Sequence, residues 1–395
     1  GDRFGRRVPM LCSSAGIPCT ALLTSLAPNL LSVYALRFAL GSFAGLGIPV
    51  AFVILSEVTP KQLRGVSVAA MGFAWCIGEF YAAAGLLLLA PDLQSGPWRR
   101  LVLWAACPAL KLLVCGLLSP VTRYDTAHWL GVQGRIDEMV GAINTMARLN
   151  GREELGIKEC RNLTVKAKAA TLDHTQALAE LGRAPLLVCT LAQCLLCFAK
   201  DFALYGSAVL WPLAWAHVRE RGHLEPAAEL MATALLGVPG VFLAMGVMHM
   251  LPRRCALAGA AVLCALACRA LMSLECGSPV GLVGVAVFKL SFPTWQMVTM
   301  LLPAEVFPTQ IKSCGYSMVA LFGRLATVVA PAIVGLSHEG FLASTATLAL
   351  LASIAVYLLP ETRAAELVDA AAPKEPTEPL MGPPPETEGT CYGAT

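Results

Sequence analysis

Charged side chains are scarce in this sequence: only 14% of its 395 residues are Asp, Glu, Lys or Arg. A soluble domain carries roughly 25%, so most of this protein's surface is expected to face something other than water. The net charge is also small, at +3, which gives no support to a nucleic-acid partner. The sequence contains no Walker loop, zinc signature or nucleophile elbow, which argues against hydrolysis and group transfer. We therefore predict a protein that is not an enzyme and that uses no cofactor or metal.

Long apolar runs make up most of what is present, since 56% of the residues are hydrophobic. A bilayer-spanning helix needs about 20 apolar residues, and helices satisfy their own backbone groups in lipid. We predict an all-α membrane protein embedded in a lipid bilayer through about ten spanning helices. Their predicted cores are 8–26, 30–55, 66–90, 101–118, 186–216, 230–248, 256–274, 280–302, 317–336 and 341–359.

Two charged motifs occur twice at almost the same spacing. Glu57 opens a motif that returns at Glu305, 248 residues later, and the Arg6-Arg7 pair returns after 247 residues as Arg253-Arg254. Two marks that repeat at one spacing indicate a duplicated membrane protein, an architecture typical of transporters.

One long polar loop divides the chain. We predict a partial N-terminal bundle of four spans in 1–118, a cytoplasmic central loop with short helices in 119–184, a six-helix C-terminal bundle in 185–360, and a disordered cytoplasmic tail in 361–395. Equal halves would have six spans each, so two further spans are expected before Gly1 in a truncated sequence. Alternate loops are rich in Lys and Arg, which places both termini in the cytoplasm.

These motifs resemble those of the major facilitator superfamily. Residues 1–7, GDRFGRR, resemble its loop signature between the second and third spans, and 57–65 resemble the motif that closes the fourth. Residues 360–363, Pro-Glu-Thr-Arg, resemble the end of the last span in sugar and organic-ion carriers, and 323–325 resemble the synaptic-vesicle-protein and organic-ion branch. The resemblance implies a bundle with about ten of the usual twelve helices, in a plasma or vesicle membrane.

One departure from the branch lies after the sixth span. Arg123, followed by Tyr124 and Asp125, resembles the arginine of that region, but the glutamate of the preceding P-E-S motif is not found at residues 119–122. The sequence thus leaves the inner charge network of the N-terminal half without that carboxylate.

The charged loop motifs predict a conformational latch. Asp2 can face the positive end of a helix from the other half, and the arginines that follow it can pair with Glu57. A topology signal alone is the alternative, but the Asp and the Gly of the first loop add nothing to topology. The predicted latch consists of Asp2, Arg3, Gly5, Arg6, Arg7, Glu57, Arg64, Glu305 and Lys312.

Ionisable residues within spans form a second group. Each costs roughly 3 kcal/mol at the bilayer centre, so they are expected to face the bundle interior and find partners. Lys200 and Asp201 are expected to point to different faces of their helix. The candidates for substrate binding or coupling are Arg324, Glu79, Arg37, Tyr205, Trp295 and Lys289.

Arg324 carries the substrate prediction. The resemblance places it in the eleventh span, which lines the cavity of the superfamily, and a guanidinium favours a carboxylate and repels a cation. Glu79, in the fifth span, is expected to neutralise Arg324 when the cavity is empty. Arg37 resembles a position linked to proton coupling, while Tyr205 and Trp295 are either cavity walls or packing residues. Lys289 either contributes to the site or only fixes helix contacts.

We therefore predict a secondary active transporter of a small organic solute, with an organic anion favoured, that works by alternating access. A coupling proton or cation is a further expected partner. The alternatives are a transporter-fold receptor or sensor that binds a ligand without moving it, and a carrier of organic cations or sugars.

Overall fold

All ten predicted spans are helices in the computed structural model, which describes residues 4–60, 63–91, 96–118, 124–154, 156, 174–184, 186–218, 226–273, 279–308 and 311–363. The first four are α1 (Arg7–Ser25), α2 (Leu30–Val58), α3 (Arg64–Leu89) and α4 (Trp98–Leu118). Three short helices follow: α5 (Ala127–Val132), α6 (Ile136–Leu149) and α7 (His174–Leu181). The last six are α8 (Leu186–Val218), α9 (Pro226–Met250), α10 (Arg253–Ser273), α11 (Pro279–Val306), α12 (Lys312–Leu336) and α13 (His338–Ala355), with a 3₁₀ turn at Val356–Leu358.

Length and composition agree with a membrane location. Within the described ranges, nine helices are long and apolar enough to cross a bilayer: α1, α2, α3 and α8 to α13. Helix α4 has the predicted position, but the side chains of residues 112 and 115–117 are not described, and it is not among the nine. The predicted all-α membrane class is confirmed.

Short polar side chains begin several of these helices. Asn29 accepts a hydrogen bond from the backbone N–H of Ser32 at 2.8 Å and so caps α2, and Ser337 accepts one from Gly340 at 3.0 Å and caps α13. Prolines stand inside several of the spanning helices, for example Pro49 in α2 and Pro293 in α11. Membrane bundles tolerate such prolines because neighbouring helices supply partners for the backbone groups that a proline leaves without a hydrogen bond.

The spanning helices pack as two groups that meet along one interface. In the first group α1 packs on α2 and α4, and in the second α8 packs on α12 and α13 while α10 packs on α11 and α13. The groups meet where α3 contacts α9 and α11, and where α2 contacts α11 and α12. Candidate binding cavities are therefore expected along these contacts.

Burial differs between the groups. In their most apolar stretches α1, α2 and α3 bury 50%, 28% and 22% of the residues, against 61%, 56% and 72% in α8, α10 and α11, while α9 and α12 bury 33% and 28%. The largest apolar cluster accordingly centres on the second group, with Trp295, Leu257, Phe202 and Phe341 all within it. The second group is thus the more tightly packed frame for the residues described next.

Candidate functional site

A buried ion pair joins the start of α1 to the end of α2. The Arg6 guanidinium lies 3.0 Å from the Glu57 carboxylate, and both side chains are fully buried. Thr126 donates its hydroxyl to the other Glu57 oxygen at 2.5 Å. Glu57 thus has a partner on each carboxylate oxygen, as a buried charge requires.

Asp125 completes this arrangement at the N-terminus of α1. Its carboxylate accepts the backbone N–H groups of Arg6 at 2.5 Å and Arg7 at 2.8 Å. These are donors that a helix start leaves without an intrahelical acceptor, and the helix dipole favours a negative charge there. We call Arg6, Glu57, Asp125 and Thr126 the first-half network.

Gly5 makes this close approach possible. Its φ is +83°, and a Cβ at this position would lie 2.5 Å from the Asp125 carboxylate oxygens. A side chain would therefore meet both backbone strain and a steric clash. The predicted latch members Asp2 and Arg3 lie outside the described residues, as does the Arg64 side chain, so their predicted roles remain predictions.

The second half repeats the arrangement at α10. Glu361 accepts the backbone N–H groups of Arg253 at 2.8 Å and Arg254 at 3.2 Å. Thr362 donates to Glu305 at 2.5 Å, and Arg253 lies 3.9 Å from the same carboxylate. We call Arg253, Glu305, Glu361 and Thr362 the second-half network.

The pKa of Glu361 is lowered by its place at this helix start. Burial acts to raise the pKa, but hydrogen bonds from the backbone of Arg253, Arg363 and Arg254, together with the charge of Arg253, outweigh it. The carboxylate is thus held in its charged form, as expected at a helix N-terminus.

Sequence reasoning missed Asp125 and Thr126. It took Arg123 as the reference residue and found no acidic residue before it, whereas the structure shows that the carboxylate follows it, at Asp125. A third repeat in the sequence could have identified these two residues. An acidic residue followed by Thr occurs at 125–126 and again at 361–362, 236 residues apart. The first-half network therefore does have its carboxylate.

Residues at the start of α12 connect the two halves near these networks. Lys312 is fully buried, and its positive charge acts on Glu57 of the other half. The ring of Tyr316 stacks on Phe52 of α2 with centroids 5.8 Å apart. We call this end of the bundle, where α1, α3, α10 and α12 begin, the basic face.

The larger cavity lies between the halves, on the side of the bundle away from the basic face. Its volume is about 480 Å³, and it is lined by α3, α8, α9 and α11. Glu79 of α3 and Lys289 of α11 form an ion pair of 2.8 Å in its wall. Aromatic and hydroxyl side chains supply much of the remaining lining, namely Trp75, Tyr205, Trp211, Ser207 and Thr233.

A smaller cavity of about 180 Å³ lies nearer the basic face and is lined by α2, α8, α11 and α12. Arg324 lines this cavity and donates a hydrogen bond of 3.0 Å to the hydroxyl of Tyr205, which lines the larger one. The Arg324–Tyr205 contact therefore marks the place where the two cavities meet.

A second buried ion pair supports this contact. Lys200 and Asp201 pair with each other within α8, so the expectation that they point to different faces is wrong. A Cβ on Gly323 would clash with the Asp201 carboxylate, so the glycine allows α12 to pack directly on it. The adjacent Arg324 is thereby held next to a negative charge.

The predicted pairing of Arg324 with Glu79 is wrong. The Glu79 carboxylate is taken by Lys289, and Arg324 is exposed at the cavity and bonded to Tyr205. Because α3 packs on α9 and α11, Glu79 is nearer to α11 than to α12. Lys289 was expected either to contribute to the site or only to fix helix contacts. It lies in the wall of the larger cavity.

Two other candidates fall elsewhere. Arg37 is exposed on α2 and makes no ion pair or hydrogen bond with the parts of the chain that are described, contrary to the expected interior position. Trp295 is fully buried edge-on to Phe292, with ring centroids 5.8 Å apart, which favours the packing alternative. Tyr205, in contrast, is a cavity wall.

A helical bundle with charge networks at one face and ionisable side chains in cavities between its halves is an architecture typical of polytopic membrane transporters. The chain matches the sugar (and other) transporter family over residues 1–371 and belongs to it. Its relatives place it in the organic-ion and sugar branch of the major facilitator superfamily, whose members are transporters and not enzymes.

Curated relatives include solute carrier family 22 member 7 of the rat, 28% identical over 379 residues that cover 93% of this chain and 66% of the relative. Organic anion transporter 3 of the rabbit is 26% identical over 371 residues, covering 91% of this chain and 65% of the relative. The chain thus spans slightly less than two thirds of the length of these relatives.

Among solved structures, the proton:xylose symporter XylE bound to 6-bromo-6-deoxy-D-glucose superposes with a TM-score of 0.71. Its sequence identity is 16%, and the match covers 93% of this chain and 82% of that chain. This similarity supports the fold alone.

Proposed function

We propose that the protein is a secondary active transporter of a small organic anion. The observation that carries the proposal is the charge of the two inter-half cavities. Lys289, Arg324 and Lys200 stand at or beside them against Glu79 and Asp201, three cations to two carboxylates, a net charge of +1 among the described residues. Such a site attracts a single negative charge and repels a cation.

The size and lining of the larger cavity fit this substrate class. A volume of about 480 Å³ lies within the range of roughly 300–1,000 Å³ that is usual for small-molecule pockets. Trp75, Tyr205 and Trp211 give it apolar walls, and Lys289 gives it a fixed cation. An amphipathic organic anion combines an apolar body with one charged group, and so matches both parts. The relatives named as organic anion transporters support the same class.

The placement of the cavities supports alternating access. They lie on opposite sides of the middle of the bundle, and Arg324 and Tyr205 separate them. We propose that the halves rock about this point and that the networks at the basic face act as the latch. Lys312 then stabilises the closed arrangement by acting on Glu57 across the interface.

Orientation and coupling belong to the same proposal. The basic face carries Arg6, Arg253 and Lys312 and is taken as the cytoplasmic side of a plasma or vesicle membrane, with both termini there. The Lys200–Asp201 pair is the candidate for a coupling proton or cation, because it is buried and Asp201 lies beside Arg324, which marks the contact between the cavities.

Uptake into liposomes tests the proposal. Labelled organic anions, organic cations and a sugar are supplied to the reconstituted protein and to Arg324→Ala, Lys289→Gln and the control Arg148→Ala. Arg148 pairs with Glu154 on the exposed surface, away from both cavities. We expect anion uptake that falls about tenfold or more in each cavity variant, since a lost charge-assisted contact is worth roughly 1.5–3 kcal/mol, and that is unchanged in the control.

Two outcomes would overturn it. Uptake of cations or sugar that is intact in Arg324→Ala would show that the arginine is only structural and that the substrate class is wrong. Saturable anion binding without any uptake would identify a receptor or sensor built on this fold.

A further inference from the structure

The ion pair in the wall of the larger cavity connects the two halves. Glu79 belongs to α3 of the first group and Lys289 to α11 of the second, and their charged atoms lie 2.8 Å apart. The Lys289 side chain is 15% exposed and the Glu79 side chain is 39% exposed. The cation is therefore the more enclosed partner, and the carboxylate is the one with room to leave.

The backbone around Lys289 is closely packed. A Cβ on Gly240 of α9 would lie 2.8 Å from the Lys289 carbonyl oxygen, so the glycine allows α9 to approach this turn of α11. Pro293 follows four residues later within α11 and also lies next to Gly240. Lys289 is thus presented from a fixed point, whereas Glu79 is held by the ion pair alone among its described contacts.

We propose that Glu79 determines specificity as a tethered competitor for Lys289. This inference rests on the organic-anion function proposed above. A carboxylate that binds Lys289 has to displace Glu79, and the displaced Glu79 then stands unpaired beside a second negative charge. An ammonium group on the same solute removes this repulsion because it pairs with Glu79. Among the carboxylate-bearing solutes that the cavity takes, it therefore favours those whose carboxylate is accompanied by an ammonium group over those with a carboxylate alone.

The charge balance of the site predicts opposite effects for two related solutes. 3-Phenylpropionate and phenylalanine share a skeleton, and phenylalanine adds an ammonium group next to the carboxylate. Removal of the Glu79 charge takes away the group that competes with 3-phenylpropionate for Lys289. It also takes away the group that pairs with the ammonium of phenylalanine. Partly exposed charges at 3–4 Å interact by about 1 kcal/mol, which corresponds to about fivefold in affinity.

The ligand-induced rise in melting temperature of the purified protein measures both affinities. For Glu79→Gln we expect the half-saturating concentration of 3-phenylpropionate to fall about fivefold and that of phenylalanine to rise about fivefold. Neutral 3-phenylpropanol should respond equally in both proteins. Lys289→Gln should lose the response to both charged solutes. Glu138→Gln is the matched control, since Glu138 forms an exposed ion pair with Arg135 away from the cavity.

Glu79→Asp guards against a variant that fails to fold. It retains the charge but shortens the reach to Lys289, so we expect 3-phenylpropionate to bind more tightly while phenylalanine keeps its affinity. The melting temperature without ligand reports directly whether each variant is folded.

The outcomes separate this inference from the function on which it rests. If 3-phenylpropionate binds through Lys289 but with the same or lower affinity in Glu79→Gln, Glu79 only positions the lysine and the inference is wrong while the anion function stands. If 3-phenylpropionate stabilises neither protein, Lys289 holds no carboxylate, and the inference fails together with the anion assignment of this cavity.

Discussion

Arg6 and Arg253 occupy equivalent places in the two halves but use their guanidinium groups differently. Arg6 lies 3.0 Å from Glu57, with both side chains fully buried. Arg253 lies 3.9 Å from Glu305 and donates instead to the backbone carbonyl of Met248 at 2.8 Å. The arginine–glutamate ion pair is therefore shorter in the first-half network than in the second, where Arg253 also donates to a backbone carbonyl.

The contacts that the two networks share show what each network requires. In each half a carboxylate accepts the first backbone N–H groups of a helix, and a Thr hydroxyl donates to the glutamate that ends another helix. The capping carboxylate and the Thr–Glu bond thus fix the helix ends. The arginine is the variable part: it lies 3.0 Å from the buried glutamate in the first half and 3.9 Å from it in the second.

The largest effect is expected from Glu57→Ala. Removal of one partner from a buried ion pair leaves an uncompensated charge and costs about 3–5 kcal/mol, and Thr126 loses its acceptor as well. Glu305→Ala should cost clearly less because Arg253 keeps its carbonyl partner. Titration with sodium dodecyl sulfate in mixed micelles measures the free energy of unfolding of both variants.

Two controls sharpen this result. Glu138→Ala breaks an exposed pair and should cost less than about 1 kcal/mol. The milder Glu57→Gln in the transport assay should reduce flux more than substrate affinity, because Glu57 lies at the basic face and not on either described cavity wall. Equal losses in Glu57→Ala and Glu305→Ala would contradict the difference between the halves.

A smaller effect is expected from Gly5→Ala. The equivalent position of the second half is Pro252, 247 residues later, so the tight backbone turn is needed only at the first network. A positive φ costs an alanine roughly 1–2 kcal/mol, and the clash with Asp125 adds to it, for a total of about 2–3 kcal/mol. Unfolding in mixed micelles again measures the loss.

Gly134→Ala separates the two contributions. Gly134 has a φ of +72°, but the space that a Cβ would occupy there is open, so its substitution carries the backbone cost alone. Gly5→Ala should therefore be the more destabilising of the two. The same loss in both variants would show that the approach of Asp125 to Gly5 contributes nothing.

The sequence was sufficient for the helices and for the pairing of an arginine of the first loop with Glu57, which the structure identifies as Arg6. Apolar runs fix the spans because lipid offers the backbone no hydrogen-bond partner outside the helix. The repeated motifs placed Arg6 and Glu57 near loops on the same side of the membrane. Boundaries shifted mainly at the basic face, where α2 continues to Val58 and α12 begins at Lys312. There the polar ends of helices are capped and paired, which hydropathy does not register.

The cavity partners were not predictable in the same way. Glu79, Lys289 and Arg324 were all selected as ionisable residues in spans, but their pairing depends on which helices touch across the interface. Lys200 and Asp201 show the same limit at short range: adjacent positions differ by about 100° around a helix, yet the flexible lysine stem reaches back to its neighbour.

The smallest effect is expected from Glu361→Gln in the second-half network, and it should depend on pH. Folding lowers the pKa of Glu361 because backbone N–H groups and the charge of Arg253 outweigh its burial. A carboxylate of this kind contributes its full stability above the ordinary glutamate pKa, and the contribution is lost as the pH falls below that value. Because Glu361 is exposed to solvent, its charge is screened and the effect should stay small.

The melting temperature of Glu361→Gln should therefore be slightly below that of the parent protein at neutral pH, and the two should converge as the pH is lowered through the acidic range. Glu361→Asp retains the charge and should follow the parent more closely at neutral pH. A difference that stays constant across the pH series would mean that the side chain acts through its shape and not through its charge.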